Sequence, residues 1–194
     1  QGLRFRTPGL GGQVWAKLGA TVTNLAAGEI FAALQSGTLD AAEFVGPYND
    51  LALGFYQVAK NYYFPSFVEP GLATELVVSK SKLEELPPDL KELVEICAQA
   101  SYDDVSSDMY ANDPRALHAL VNEHGVKVHQ FPEEIIEAGA KASVELITEI
   151  RESGDALTKE VAESFVSALS LLRERTEGTD MPFLAAREKY VRFD

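Results

Sequence analysis

The sequence has little cysteine, a shortage of positive charge and no long apolar run, and each shortage excludes something. One cysteine, Cys97, rules out an internal disulfide without fixing the compartment. Lys and Arg number 17 against 30 Asp and Glu, for a formal net charge of -13, which argues against nucleic acid as a general partner. No apolar stretch approaches the roughly 20 residues that span a bilayer. Position 1 is not Met and no signal segment is present, so a mature or truncated piece is expected. No Ser or Cys nucleophile motif is visible. "PGLGG" has the glycines of a phosphate loop but not its Lys-Ser/Thr ending. His118, His124 and His129 lack metal-like spacing on one helix face and read as surface residues.

What is present is a globular composition, 46% hydrophobic over 194 residues, with no internal repeat. "LRFRT" alternates apolar and basic, so a strand is predicted with Leu3 and Phe5 on one face and Arg4 and Arg6 on the other. "PGLGG" reads as a turn, "QVWAKLG" as a short helix, "ATVTNL" as a strand and "GEIFAALQSG" as a helix stopped at Gly37. "LDAAEFVG" is the next predicted strand and "YNDLALGFYQVA" the next helix. "KNYYFPSFVEPG" reads as extended, punctuated by Pro65 and Pro70, and "ATELVVSK" as a last strand. Strands and helices alternating at short spacing define an α/β sheet.

From "LPPDLKEL" the character changes. Pro88-Asp89 opens a helix predicted to run to about Asn112, with Asp113-Pro114 capping a new turn or kinking the old one. "VKVHQF" is a short strand, and Pro132-Glu133-Glu134 starts another helix. Ile135, Gly139, Ala142, Leu146 and Ile150 fall at helical spacing there, as do Val161, Phe165, Leu169 and Leu172 on the helix after it. "TEGTDMP" reads as a break before a terminal helix from Pro182 to Val191, and Cys97 as a small buried helix residue. Two portions are expected: residues 1–80, α/β and ligand-binding, and residues 81–194, helix-rich.

Charge is unevenly placed. The only charged residues before Glu29 are Arg4, Arg6 and Lys17, so an anion would prefer this end. Arg6 closes a predicted strand, where open α/β sheets bind ligands, and its planar guanidinium suits a carboxylate. A surface salt bridge is the plainer reading of both Arg6 and Arg4. Glu43 sits among Ala41, Ala42, Phe44 and Val45. Buried there, it must be paired, protonated or bound to a cation; by alternation it could equally face water. Glu69 has aromatic company in Tyr62, Tyr63, Phe64 and Phe67, either a pocket wall or a core with a rim acid. Two carboxylates on separate elements can share a hard cation or act as an acid/base pair, and residue type alone leaves both open.

Taken in order, "GLRFRTPGLGG", "GEIFAALQSGTLDAAEFVGPYND", "LGFYQVAKNYYFPSFVEPG" and "LPPDLKELVE" resemble the solute-binding proteins of tripartite ATP-independent periplasmic (TRAP) transporters, in the branch that binds 2-oxoacids and similar monocarboxylates. The resemblance covers nearly all of the chain but only about the second half of a family member, so a fragment is expected, with any signal peptide in the other part. It implies a periplasmic-binding-protein-like α/β fold of two lobes, joined by hinge strands and a long helix. It further implies a non-enzymatic periplasmic receptor that hands a small organic acid to TRAP membrane subunits, and a homodimer through the C-terminal helix. Arg6 matches the arginine that grips the ligand carboxylate. Glu43 matches the carboxylate that helps hold a sodium or calcium ion bridging the ligand. Phe44 stands where the branch usually has Trp, so its backbone carbonyl can still meet the metal but any indole N–H contact is lost. Glu69 matches a second pocket acid and metal neighbour. "FPSFVEPG" departs from the commoner "YPGWHEPG", which bears on pocket size and ligand choice. Two other readings stand beside this one: a helical protein-interaction module, and an acid/base enzyme acting on keto or hydroxy acids through Glu43 and Glu69.

Overall fold

The computed structural model describes residues 2–69, 71 and 73–191. Contacts divide the chain into two units, one ending at Ala142 and the other beginning at Ser143. Pro70, expected to punctuate the extended run after Glu69, lies outside the described residues.

The first unit opens with a parallel sheet in the order β2-β1-β3, formed by β1 (Arg4–Arg6), β2 (Thr21–Thr23) and β3 (Ala41–Ala42). Helices α1 (Gly9–Lys17) and α2 (Ala27–Gln35) supply the crossovers that parallel pairing requires. Arg6 lies opposite Thr23 on one side and Ala42 on the other, in the last row of the central strand. β3 is shorter than its apolar run predicts, because pairing stops before Glu43. The predicted turn "PGLGG" is instead the first turn of α1. Gly9 enters it with φ +59°, and a Cβ on Gly12 would stand 2.9 Å from the Thr7 carbonyl, so glycine lets the helix close against the end of β1.

After α3 (Pro47–Ala52), Gly54 at φ +72° ends the helix, and only a 3-10 turn, Phe55–Gln57, follows. The predicted strand over "ATELVVSK" is absent. Residues 73–79 have no regular structure, and Leu76, Val77 and Val78 are exposed. Alternation makes them fit for a strand, but no neighbour among the described residues completes the pairing. β4 (Asn61–Phe64) and β5 (Lys127–Gln130) form a second parallel pair. Between them run α4 (Lys80–Glu84) and α5 (Pro88–Asn122), and β5 leads into α6 (Glu133–Ser153). α5 continues through Asp113-Pro114 without a stop. Pro114 is on its exposed side, where water can take the carbonyl freed by the missing N–H. Cys97 is exposed on this helix, not buried as predicted.

The core of this unit gathers Phe5, Val14, Ile30, Leu39, Phe55, Leu120 and Val126. Beside it the Trp15 ring lies 4.9 Å from Phe5 and 5.1 Å from Phe67, and Phe67 lies 5.6 Å from Phe131.

The second unit comprises the end of α6, then α7 (Ala156–Arg175) and α8 (Met181–Tyr190). Asp155 caps α7 by accepting the Thr158 N–H at 2.8 Å. Arg151 pairs with Glu163 at 2.7 Å. The expected break at "TEGTDMP" is a π-helical turn, Thr176–Asp180, which carries α7 into α8. A π turn absorbs residues without ending a helix, and the Thr179 hydroxyl donates to the Arg175 carbonyl within it at 2.6 Å. Val161, Phe165, Leu169 and Leu172 are all exposed. No helix among the described residues is long and apolar enough to cross a membrane.

Gly139 is where Phe67 meets α6: a Cβ there would stand 2.1 Å from Cε2 of that ring. Trp15 and Phe131 hold the ring from other sides, so it has little room to retreat. Gly139→Ala should therefore lower stability by about 1–2 kcal/mol by overpacking, despite the better helix propensity of alanine. Gly178→Ala, with open space around it, should not destabilise. Urea midpoints of both variants check this; equal midpoints would mean the Phe67 contact is loose.

Candidate functional site

Arg6 is 8% exposed and ties together the loops that leave all three strands of the first sheet. Its Nε donates to the Leu25 carbonyl beyond β2 at 3.0 Å, and Nη1 donates to the Glu43 carbonyl beyond β3 at 2.8 Å. The Glu43 N–H returns a bond to the Arg6 carbonyl at 2.8 Å. Nη2 has no hydrogen-bond partner among the described residues, so one edge of the guanidinium is free to take a planar anion. The salt-bridge reading holds for Arg4, which pairs with Asp40 in solvent, and not for Arg6.

Glu43 is half-buried, and its Oε2 accepts the Thr7 hydroxyl at 3.4 Å. Burial raises its pKa above the ordinary carboxylate value, and the charge of Glu69 raises it further. Arg6 and the Thr7 bond oppose that rise without cancelling it, and Asp50 adds to it. Phe44 sits with its ring centroid 5.8 Å from the Arg6 Cζ and meets Phe55 edge-on at 5.7 Å. Glu69 is exposed, and its N–H donates to the Ser66 hydroxyl at 3.1 Å. A Cβ on Gly11 would lie 3.6 Å from both Glu69 Oε1 and Thr7 Oγ1, which puts the two side chains over one glycine. Glu43, Phe44, Glu69 and Asp113 line one cavity of about 170 Å³. Three of the four residues singled out by sequence therefore share this cavity, and the fourth, Arg6, is not in its lining but reaches it through the Glu43 carbonyl and the Phe44 ring.

No group of three His, Cys, Asp or Glu side chains among the described residues could hold a metal ion alone. A cation here would need backbone carbonyl oxygen and oxygens from a bound anion besides the two carboxylates. The donor set fits a hard ion on that condition: burial and the Glu69 charge raise the proton affinity of Glu43, while Arg6 gives its side-chain bonds to carbonyls.

Sequence reasoning missed two features. Asp50, in the quoted "YND", is buried, and its Oδ2 accepts a short hydrogen bond from the Tyr62 hydroxyl while Oδ1 has no partner among the described residues. Burial pushes Asp50 up to about 6 against the Tyr62 bond, with the Asp113 charge adding to the rise. Tyr62 is pushed up as well, by burial first and then by Asp50. Asp113, read with Pro114 as capping a new turn or kinking the old helix, instead accepts the Tyr48 N–H at 3.0 Å and so caps α3 from a distant part of the chain. Only the aromatic run near Tyr62 and the Asp-Pro pair hinted at them.

The chain belongs to the bacterial extracellular solute-binding protein family 7, whose description fits residues 1–153. It is 36% identical over 165 residues to a monocarboxylate 2-oxoacid-binding periplasmic protein of Nostoc sp. strain PCC 7120, covering 85% of this chain and 45% of that protein. A TRAP periplasmic solute-binding protein of Pseudoalteromonas atlantica, solved with sodium and pyruvate, is 33% identical with a TM-score of 0.87, over 96% of this chain and 56% of that one. One from Colwellia psychrerythraea, solved with calcium and pyruvate, is 34% identical with a TM-score of 0.86, over 95% and 56%. The helix-rich α/β fold is thus that of TRAP periplasmic binding proteins, and the chain spans about half the length of these relatives.

Asp50 gives the region a pH signature. Its folded pKa is raised, so the proton it holds stabilises the fold below the ordinary carboxylate range, and that contribution is lost as pH rises through about 6. Relative to wild type, Asp50→Asn should gain up to about 3 kcal/mol of stability between about pH 4 and pH 7. Urea unfolding across that range reads the difference, and a constant offset would mean that Asp50 titrates as an exposed acid.

Proposed function

We propose that this chain forms the arginine-bearing side of a periplasmic receptor for a small monocarboxylate, either a 2-oxoacid such as pyruvate or a lactate-like hydroxy acid, taken up together with a sodium or calcium ion. The receptor does not turn its ligand over; it delivers the acid to the membrane subunits of a TRAP transporter. The observation that carries this reading is one small cavity lined by the Glu43 and Glu69 carboxylates and Phe44, with Arg6 bonded directly to the Glu43 carbonyl and lying beside the Phe44 ring. The ions and pyruvate bound by the Pseudoalteromonas and Colwellia proteins support the choice of ligand.

In this reading Arg6 grips the ligand carboxylate. Glu43, the Phe44 carbonyl and Glu69 would hold the ion, which supplies a positive charge bridging protein and ligand oxygens. The Phe44 ring walls the cavity and excludes water, which strengthens each charged contact. Sodium and calcium both take oxygen ligands, so the donor set admits either. The exposed row Val161, Phe165, Leu169 and Leu172 supports the companion proposal of a homodimer through the C-terminal helical segment, because an apolar row of this kind is suited to burial against a second copy.

Binding is tested on the protein that carries this chain. Arg6→Ala should weaken pyruvate binding by about 2 kcal/mol or more, since a buried ligand carboxylate loses its partner. Calorimetry measures this, with unfolding curves separating lost affinity from lost fold, because Arg6 also ties the strand loops. An unchanged dissociation constant rules out the role. Glu43→Gln should reduce the retained calcium seen by elemental analysis. Wild-type calcium affinity should weaken as pH falls, because Glu43 has a raised proton affinity and proton and ion compete for it. Turnover of the bound acid in place of stoichiometric binding would favour an acid/base enzyme.

A further inference from the structure

Residues 45–46 follow directly on Glu43 and Phe44 and turn into α3, whose start is held from α5. Asp113 Oδ1 accepts the Tyr48 N–H at 3.0 Å across 65 residues of sequence. The residue at the N-cap position of α3, Gly46, has no side chain to cap it. Its backbone is fully extended at φ 179°, a conformation open to any residue, so space and not conformation is what favours glycine there. A Cβ would lie 3.2 and 3.3 Å from the two Asp113 carboxylate oxygens. The near end is fixed by Arg6, through the Glu43 carbonyl and N–H. Between these two clamps lie the Glu43 side chain and the Phe44 carbonyl, with no strand pairing of their own.

We infer that Asp113 is a positioning residue for the ion and ligand site: by capping α3 in trans it fixes the turn that aims the Glu43 carboxylate and the Phe44 carbonyl. This rests on the site proposed above. Asp113 acts as a hydrogen-bond acceptor and not as a charge. Its charge taken alone works against the site, since another anion beside the cavity adds to the repulsion among Glu43, Glu69 and a bound carboxylate. Capping by a side-chain oxygen is worth enough to decide between two arrangements of a short turn.

The test uses calorimetry with pyruvate in saturating calcium, on variants whose circular dichroism shows them folded. Asp113→Asn keeps the acceptor and should hold affinity within about threefold of wild type, whereas Asp113→Ala should lose about tenfold. Gly46→Ala, which pushes the carboxylate away without removing it, should also lose affinity. Amide exchange at Tyr48 should speed up in Asp113→Ala and stay slow in Asp113→Asn, a readout that does not need the ligand. An Asn variant as weak as the Ala variant would overturn the inference, because the charge would then be what matters. An Ala variant that binds like wild type would overturn it too. A wild type that binds neither calcium nor pyruvate would instead sink the functional reading, and this inference with it.

Discussion

The Arg6 guanidinium cross-ties the ends of a parallel sheet whose strands are only two or three residues long. Ladders that short hold little by themselves, and each strand leaves its carbonyls open at the same end. By donating to Leu25 on one side and to Glu43 on the other, Arg6 takes up carbonyls from both flanking loops. The bonds that fix the fold also fix the guanidinium plane, so its third edge is presented without further loss of side-chain freedom. A lysine could not do both, since its single ammonium has no planar fork with separate edges.

The cost falls on the neighbouring acids. Glu43 is half-buried, the charges of Glu69 and Asp50 add to the cost of ionising it, and Arg6, whose charge opposes them, gives its side-chain bonds to carbonyls. A cluster of this kind is unfavourable when empty and charged, and favourable once a cation enters. On the proposed reading, the same arithmetic favours a small organic acid and a metal ion entering together. The acid alone would meet repelling carboxylates, and the ion alone would lack enough oxygens, since no three acidic or imidazole side chains among the described residues can surround it.

Much of this was legible before any coordinates. Periodicity placed β1 and much of the helices after it, whereas α5 was placed by its Pro88-Asp89 start signal. Arg6 and Glu43 stood out by residue type in context. What escaped depended on distant partners. "ATELVVSK" has the alternation of a strand, but a strand exists only where another pairs with it. "PGLGG" looks like a turn because glycine weakens helices, yet here glycine is what lets α1 approach the Thr7 carbonyl. Cys97 looked buried because cysteine usually is, but α5 carries no continuous apolar stripe around it, and only Ala116 and Leu120 are buried along its length.

Asp113 shows the limit most plainly. An Asp before a Pro is a reasonable helix cap by local rules, and the side chain does cap a helix, only a different one. A capping interaction needs an acceptor oxygen near free N–H groups, and sequence distance does not enter into it. By the same token the choice of Gly46 is invisible locally: its backbone is ordinary, and only the approach of a carboxylate from 67 residues away explains the missing side chain. Helix α5 and the loop that carries Glu43 and Phe44 are therefore constrained together, and a displacement of one cannot leave the other where it was.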